Sequence, residues 1–379
     1  MSTTIKKFAA IDKLLLTSVV GIVIFGLVMV ASASIDISEK QFGSPFHFLV
    51  RQMIFLFVAL VIARFILRTP MEKIAAFSPN IFMVSLVFLI IVLIPHVGRS
   101  INGSSRWIGI GPIGLQVSEF AKLATILYLS GYLVRQNAQI QQHISGFIRP
   151  LCVLGLVVLL LLKEPDFGAA VVIISTAMAM MLLAGMRIRY FILLLAAVAG
   201  VFTLLAVESP YRLLRITSFM HPWVNQYGSG YQLTQALIAF GNGGFWGVGL
   251  GGSIQKLFYL PEAQTDFLFA VLSEELGLVG ISCVFILYSL LVMRSLVIAK
   301  KAHYCGDHYS SFVAFGIGIW LGLQFLINVG VNAGVLPTKG LTLPLMSYGG
   351  SSLLIDICAM AILFRIDYET RLKAFGVLK

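Results

Sequence analysis

Apolar residues run through this chain in long blocks, separated by short polar stretches where Gly, Pro, Lys and Arg collect. A block of about 20 apolar residues, wound as a helix, matches the ~30 Å hydrocarbon core of a bilayer. On that measure the pattern predicts ten helices, at 14–34, 48–67, 81–96, 118–134, 147–162, 167–186, 190–207, 267–293, 311–331 and 351–364. The expected fold is an all-α polytopic membrane protein, a single integral-membrane unit over 1–379. Its connections are short except for one large extracytoplasmic loop, about 208–266, between helices seven and eight. Loops of that length carry function or hidden structure. Leu233, Ala236, Leu237 and Phe240 recur within it at helical spacing, which predicts an amphipathic segment on, or dipping into, the outer membrane face.

Composition excludes the soluble alternative. By length 379 residues would make two or three soluble domains, but a chain 59% hydrophobic and 11% charged does not. The net charge of +11 does not point to nucleic acid, because the basic residues form no aromatic-interleaved patch. They sit instead at the ends of alternate apolar blocks: Lys6, Lys7 and Lys13; Arg64, Arg68 and Lys73; Arg135 and Arg149; Arg187 and Arg189; Arg294, Lys300 and Lys301; and Arg365, Arg371, Lys373 and Lys379. Under the positive-inside rule those ends, and both termini, are cytoplasmic. Ala31-Ser32-Ala33 resembles a signal-peptide cleavage site, but the preceding block is long enough to span a membrane and reads as an uncleaved first helix. Cys152, Cys283, Cys305 and Cys358 suggest neither a disulfide nor a metal site.

The residues that break these rules carry the chemistry. Lys40, Arg51, Arg99, Arg106, Lys122, Lys163, Arg212, Arg215, Lys256 and Lys339 lie away from the cytoplasmic ends, where most could line a pocket for an anionic headgroup; snorkelling suffices for Lys40 and Arg51. Glu119 and Lys122 are three apart and pair on one helical face, either as a structural ion pair or as a substrate contact. In Lys163-Glu164-Pro165-Asp166-Phe167-Gly168 two carboxylates share a short turn, where they bind a cation or Asp166 simply caps the next helix. The run 336–352, LPTKGLTLPLMSYGGSS, reads as broken backbone at membrane depth, a state tolerated only where protein buries it or it lines a cavity. Residues 247–252 fit GxGxxG by letter, but no βαβ context surrounds them, and the glycines there serve tight turns and close backbone approach.

Four carboxylates stand in 259–277, YLPEAQTDFLFAVLSEELG, where an apolar span should begin. Glu262 and Asp266, four apart, would share one helical face at the mouth of the span, while Glu274 and Glu275 fall inside it. Ionisable groups at such depth are costly and point to function, although packing is the expectation for the deeper pair. No HExxH or Ser-His-Asp pattern is present. Carboxylates and cations on one face suit group transfer from a pyrophosphate-linked donor. A carboxylate takes a proton from an acceptor hydroxyl while cations, or a bound divalent metal, stabilise the leaving phosphate. No cofactor is specified beyond such a cation, magnesium or manganese, and the metal ligands are unknown.

At GSSRWI, SEFAKL, EPDFG, the long run from YQLTQALIAFGNGG to LSEELG, and LPTKGLTLPLMSYGGSSL, the chain closely resembles the SEDS (shape, elongation, division, sporulation) family of bacterial cell-wall polymerases. The form LPTKGLTLPL and the ending RIDYETR resemble its division-type branch in Gram-negative bacteria. The resemblance implies ten membrane helices and a peptidoglycan glycosyltransferase that polymerises lipid II, the undecaprenyl-pyrophosphate-linked precursor, at the division septum of the inner membrane. It places the family's essential aspartate, a general base, at Asp266, and basic positions of the family's motifs at Arg106, Lys122 and Lys339, toward the pyrophosphate. Glu262 becomes a neighbour that tunes the site, and Gln264 stands where histidine is common in the family. Implied partners are a class B penicillin-binding protein and other divisome proteins. Two other readings stay open: a lipid II flippase and a non-catalytic division scaffold.

Overall fold

The computed structural model describes residues 11–101, 104–110, 113–136, 145–207 and 218–375. Its helices are α1 Lys13–Phe42, α2 His47–Arg68, α3 Met71–Ile91, α4 Val117–Arg135, α5 Ser145–Lys163, α6 Phe167–Leu183, α7 Ile188–Val207, α8 Tyr231–Gly243, α9 Leu268–Tyr304, α10 His308–Asn332 and α11 Gly350–Ala374. Each of the ten predicted segments lies mainly in a helix, and α8 is additional. Among the described residues α1 to α5, α9 and α10 are seven helices long and apolar enough to cross a membrane. The runs Phe167–Leu183 and Ile188–Gly200 are shorter apolar helices.

Three expectations need correction. The third helix runs Met71–Ile91 rather than 81–96, because Pro79 is accommodated inside it and turns begin at Val92. Pro lacks an N–H donor but does not by itself end a membrane helix when neighbours satisfy the freed carbonyl. The fold is not purely α: β1 Arg99–Ile101, β2 Ser104–Ile110 and β3 Ile113–Gln116 form an antiparallel sheet in the order β1-β2-β3. Strands this short carry too little alternation to stand out beside the long apolar blocks. Finally, α8 buries its apolar face on protein: Leu233, Ala236 and Ala239 are buried, and the Phe240 ring lies 5.9 Å from that of Phe269 on α9.

The core is built where α9 packs against α10, α1 and α8, while α11 lies against α2 and α4 against α3. One end of the bundle gathers charge. Asp12 caps α1 and pairs with Arg294 and Arg371; Arg371 also meets Asp367 at 2.9 Å, and Lys373 meets Asp307 at 2.8 Å.

At the other end α9 breaks. Gly277 has φ 60° and ψ −157°, so the helix hydrogen-bond ladder is interrupted there. The glycine-rich stretch after α8 fills the gap. Val248 and Gly249 donate their N–H groups to the Glu274 and Glu275 carbonyls, each at 3.0 Å, and the Gly244 and Phe245 carbonyls accept from Leu278 (3.1 Å) and Val279 (3.3 Å). Gly247, at φ 80°, lies so close to the Glu275 carbonyl that a Cβ would overlap it. The glycines thus permit close backbone approach. Gly247→Ala will lower the thermal unfolding midpoint, through a left-handed strain of about 1–3 kcal/mol and displacement of this loop from α9, measurable by thermal-shift assay on the purified protein.

The deep glutamates are the pegs of this junction. Glu274 accepts hydrogen bonds from Asn242 Nδ2 (3.1 Å), Ser253 Oγ and the Gln255 N–H (3.2 Å). Glu275 accepts from Ser32 Oγ of α1 at 2.7 and 2.8 Å and from Lys256 Nζ at 2.8 Å. Both carboxylates are fully buried. The expected packing role is what the contacts provide, and Lys256 is drawn inside with them rather than into a headgroup pocket.

Candidate active site

Asp266 sits two residues ahead of α9, in a turn-rich stretch rather than on a helix. Glu262 has a left-handed φ of 58°, so it and Asp266 do not share a helical face as their spacing suggested. Glu262 instead closes the turn: its carbonyl accepts from the Thr265 (3.1 Å) and Phe267 (3.2 Å) N–H groups, and its carboxylate accepts from Thr265 Oγ1 at 2.8 Å. Left-handed non-glycine residues of this kind gather where surrounding structure over-determines a functional loop.

Two asparagines fix the backbone at Asp266. Asn328 and Asn332 of α10 each donate an Nδ2–H to its carbonyl at 3.0 Å. Asn328 also donates to the Leu341 carbonyl at 2.6 Å, so one side chain clamps both the aspartate loop and the irregular 336–349 run. Gln324, one turn earlier, donates to the Thr342 carbonyl at 3.0 Å. Tyr288 donates to the Pro344 carbonyl, and Asp356 accepts from the Leu345 N–H at 2.9 Å. Buried backbone without secondary structure needs such partners, and here polar side chains from three helices supply them. Of these, Asp356 stood out in the sequence only as a candidate member of a polar path, and Tyr288, Gln324, Asn328 and Asn332 were not singled out. The signal was present: Gln324, Asn328 and Asn332 recur every fourth residue along one face of α10.

The clamp brings Asp266 against Gly340. A Cβ at that glycine would stand 2.7 Å from the Asp266 Oδ2. Lys339, the preceding residue, places its Nζ 5.1 Å from the centroid of the Phe167 ring, at the start of α6. Asp166 caps that helix, accepting from the Ala169 N–H at 3.2 Å. Arg106 on β2 reaches the same turn, donating to the Pro165 carbonyl at 2.6 Å and the Glu164 carbonyl at 3.4 Å, with its Nε 3.9 Å from Asp166 Oδ2. A continuous path of contacts therefore runs from Arg106 through 164–167 to Lys339, Gly340 and Asp266.

Lys122 lies elsewhere. It is buried on α4, 2.9 Å from Glu119 and 2.6 Å from Gln324 Oε1, with its ammonium 5.2 Å from the Trp320 ring centroid. Glu119 and Lys122 do pair, as their spacing suggested. Lys122 meets the site through Gln324, whose amide holds Thr342 in the loop that carries Lys339. Arg212 and Arg215 lie outside the described residues.

Glu164 is the most unusual group nearby. It is completely buried and neither carboxylate oxygen has a hydrogen-bond partner. Burial, with the Asp166 charge adding to it and Arg106 opposing, pushes its pKa up to about 8. The native state therefore holds this proton between about pH 4.5 and 8 while the unfolded chain releases it, so Glu164 costs stability as pH rises through that window. Glu164→Gln will leave low-pH stability unchanged and flatten the loss between pH 5 and 8 by a few kcal/mol, as read from unfolding midpoints across that range.

The model of the FtsW/RodA/SpoVE cell cycle protein family matches residues 12–372. The chain belongs to that family. Its relatives include the "Probable peptidoglycan glycosyltransferase FtsW" of Legionella pneumophila, 56% identical over 366 residues, covering 97% of this chain and 93% of the relative. The protein of the same name from Coxiella burnetii is 54% identical over 345 residues, covering 91% and 93%. Among solved structures, one chain described under the structural coordination of polymerization and crosslinking by a peptidoglycan synthase complex is similar at a TM-score of 0.80 and 28% identity, covering 95% of this chain and 98% of that one. The Thermus thermophilus rod shape determining protein RodA is similar at a TM-score of 0.70 and 28% identity, covering 94% and 97%. The family's helical membrane architecture thus extends over nearly all of this member; GSSRWI, EPDFG, LPTKG and the stretch around Asp266 contribute to the contact path just described, and SEFAKL meets it through Lys122 and Gln324.

Proposed function

We propose that this protein is a peptidoglycan glycosyltransferase that polymerises lipid II into glycan strands during septal cell-wall synthesis. The observation that carries the reading is the meeting of the Asp266 carboxylate with the Lys339-Gly340 backbone, one contact from the turn that Arg106 holds. Asp266 takes the proton of the acceptor sugar's 4-hydroxyl as its oxygen bonds to the donor's anomeric carbon. The bond from that carbon to the pyrophosphate breaks, and the configuration inverts. Lys339 and Arg106 stabilise the charge that develops on the leaving pyrophosphate. Lys122 and Glu262 act one step back, Lys122 on the 339–345 loop through Gln324 and Glu262 on the turn before Asp266.

In this reading the ten helices cross the inner membrane of a Gram-negative cell, the termini and the charged bundle end are cytoplasmic, and 208–266 is the large extracytoplasmic loop. From Arg294 to the break at Gly277 α9 rises about 25 Å at 1.5 Å per residue, most of a core of about 30 Å. Asp266 lies beyond that break and the turns that follow it, which supports its standing at the level of a lipid's phosphates and first sugars. The similarity to a chain of a peptidoglycan synthase complex supports a class B penicillin-binding protein as partner, with other divisome proteins around it.

No group of three or more His, Cys, Asp or Glu gathers among the described residues. Magnesium needs fewer, since it binds through one or two carboxylates plus substrate phosphates. Glu164 and Asp166 are the candidates, because three of their buried oxygens lack hydrogen-bond partners, and a cation there would displace the proton that Glu164 holds below about pH 8. A divalent cation there would supply charge to the leaving phosphates.

A flippase would need a polar route toward the cytoplasmic half, and the residues available were Glu274, Glu275 and Asp356. The first two have their carboxylates held by neighbouring side chains and backbone, and Asp356 ties the 345 backbone. Catalysis is favoured for that reason. The test is polymerisation of purified lipid II by the protein with its penicillin-binding partner, run beside a lipid II flipping assay in vesicles. Glycan strands without flipping support the reading. Flipping without strands would replace it with the transporter, and neither with the scaffold.

A further inference from the structure

The stretch 244–255, GFWGVGLGGSIQ, contains no charged residue and presents its apolar side chains outward. Trp246 is 76% exposed, and Phe245, Val248 and Leu250 are exposed beside it. On a water-facing loop this would be an unusual apolar patch, of the kind that marks an interaction surface. The Phe245 and Trp246 rings meet edge to face with centroids 5.1 Å apart, so the exposed group is ordered by its own contacts.

Two further features identify what covers it. The loop's backbone is paired into the α9 break: the 248 and 249 N–H groups and the 244 and 245 carbonyls bond to α9, and the Gly247 N–H donates to the Gly243 carbonyl at 2.8 Å. Paired backbone is the condition for leaving water. Its depth follows from α9 itself. From Arg294, which pairs with Asp12 at the charged end, to Gly277 the helix rises roughly 25 Å at 1.5 Å per residue, which falls within a hydrocarbon core of roughly 30 Å. Leu278, Val279 and Ile286, just beyond the break on α9, are exposed apolar residues in turn.

We propose that the glycine-rich loop after α8 is embedded in the outer leaflet, with Phe245, Trp246, Val248 and Leu250 among lipid chains and Trp246 near the headgroup boundary, where tryptophan is enriched. The loop that leads to Asp266 is thereby anchored to the bilayer surface as well as to α9. Depth is read without reference to catalysis, so the proposal stands or falls separately from the enzymatic reading.

The test uses the full chain with Cys152, Cys283, Cys305 and Cys358 replaced by alanine, in phosphatidylethanolamine–phosphatidylglycerol vesicles. Nitroxides are attached to Trp246→Cys or Leu250→Cys, with Ile286→Cys as the lipid-facing reference and Lys301→Cys as the aqueous one. Collisions with oxygen are expected to exceed those with a water-soluble nickel chelate at 246 and 250, as at 286. Chelate-dominated collisions, as at 301, would overturn the proposal by placing the loop in water; inaccessibility to both reagents would overturn it in favour of a protein partner or a second copy. A second measurement avoids the cysteine variants. In vesicles of brominated lipid, wild-type tryptophan emission should be quenched by a larger fraction than that of Trp246→Phe, and equal quenching would contradict insertion.

Discussion

Replacing Lys256 with methionine will destabilise the fold by about 3–5 kcal/mol, the cost of leaving a buried carboxylate without its counter-charge. Lys256 Nζ lies 2.8 Å from Glu275 and 3.0 Å from Ser32 Oγ, and Ser32 bonds the same carboxylate. Three separate parts of the chain, α1, the loop after α8 and α9, therefore meet at a single charge. Removing the lysine breaks the meeting point but not the reason for it, since Glu275 remains fully buried. The double variant Lys256→Met with Glu275→Leu removes both charges, and buried pairs replaced in this way are close to neutral or better. Most of the lost unfolding temperature should return in the double variant. A single variant as stable as wild type would mean that the pair holds nothing together.

This network also separates what the sequence made legible from what it did not. The helices were legible because a span announces itself by length and hydropathy, and all ten predicted segments lie mainly in helices. Asp166 was legible as a cap from its place before an apolar run. The break at Gly277 was not, because a lone glycine in a span is ordinary, and only the loop that fills the gap gives it meaning. Glu262 and Asp266 at four-residue spacing invited a helical reading that the left-handed Glu262 backbone rules out. The sheet of 99–116 was hidden because short strands carry little periodicity. In the site, the charged members stood out as rule-breakers, while the Gln324-Asn328-Asn332 face that positions them looked like ordinary polar residues in a helix.

Replacing Asp266 with asparagine will lower glycan polymerisation by at least about 100-fold. The substitution keeps the size and shape of the side chain, and the Asn328 and Asn332 contacts go to the Asp266 carbonyl, which any residue retains. Folding and partner binding should therefore survive. In the role proposed for Asp266, what is lost is the capacity to accept a proton, and a positioned general base contributes typically 10²–10⁴-fold in rate. Gly340 sharpens the comparison: its lack of a Cβ lets the carboxylate approach, so Gly340→Ala should lower activity while leaving the aspartate's chemistry intact.

The most direct measurement is strand formation from purified lipid II by the wild-type protein and Asp266→Asn, each assembled with the class B penicillin-binding protein proposed as partner and matched for monodispersity. Strands are expected from the first, and a drop of at least about 100-fold for the second. Strands formed at the wild-type rate by Asp266→Asn would contradict the role proposed for Asp266.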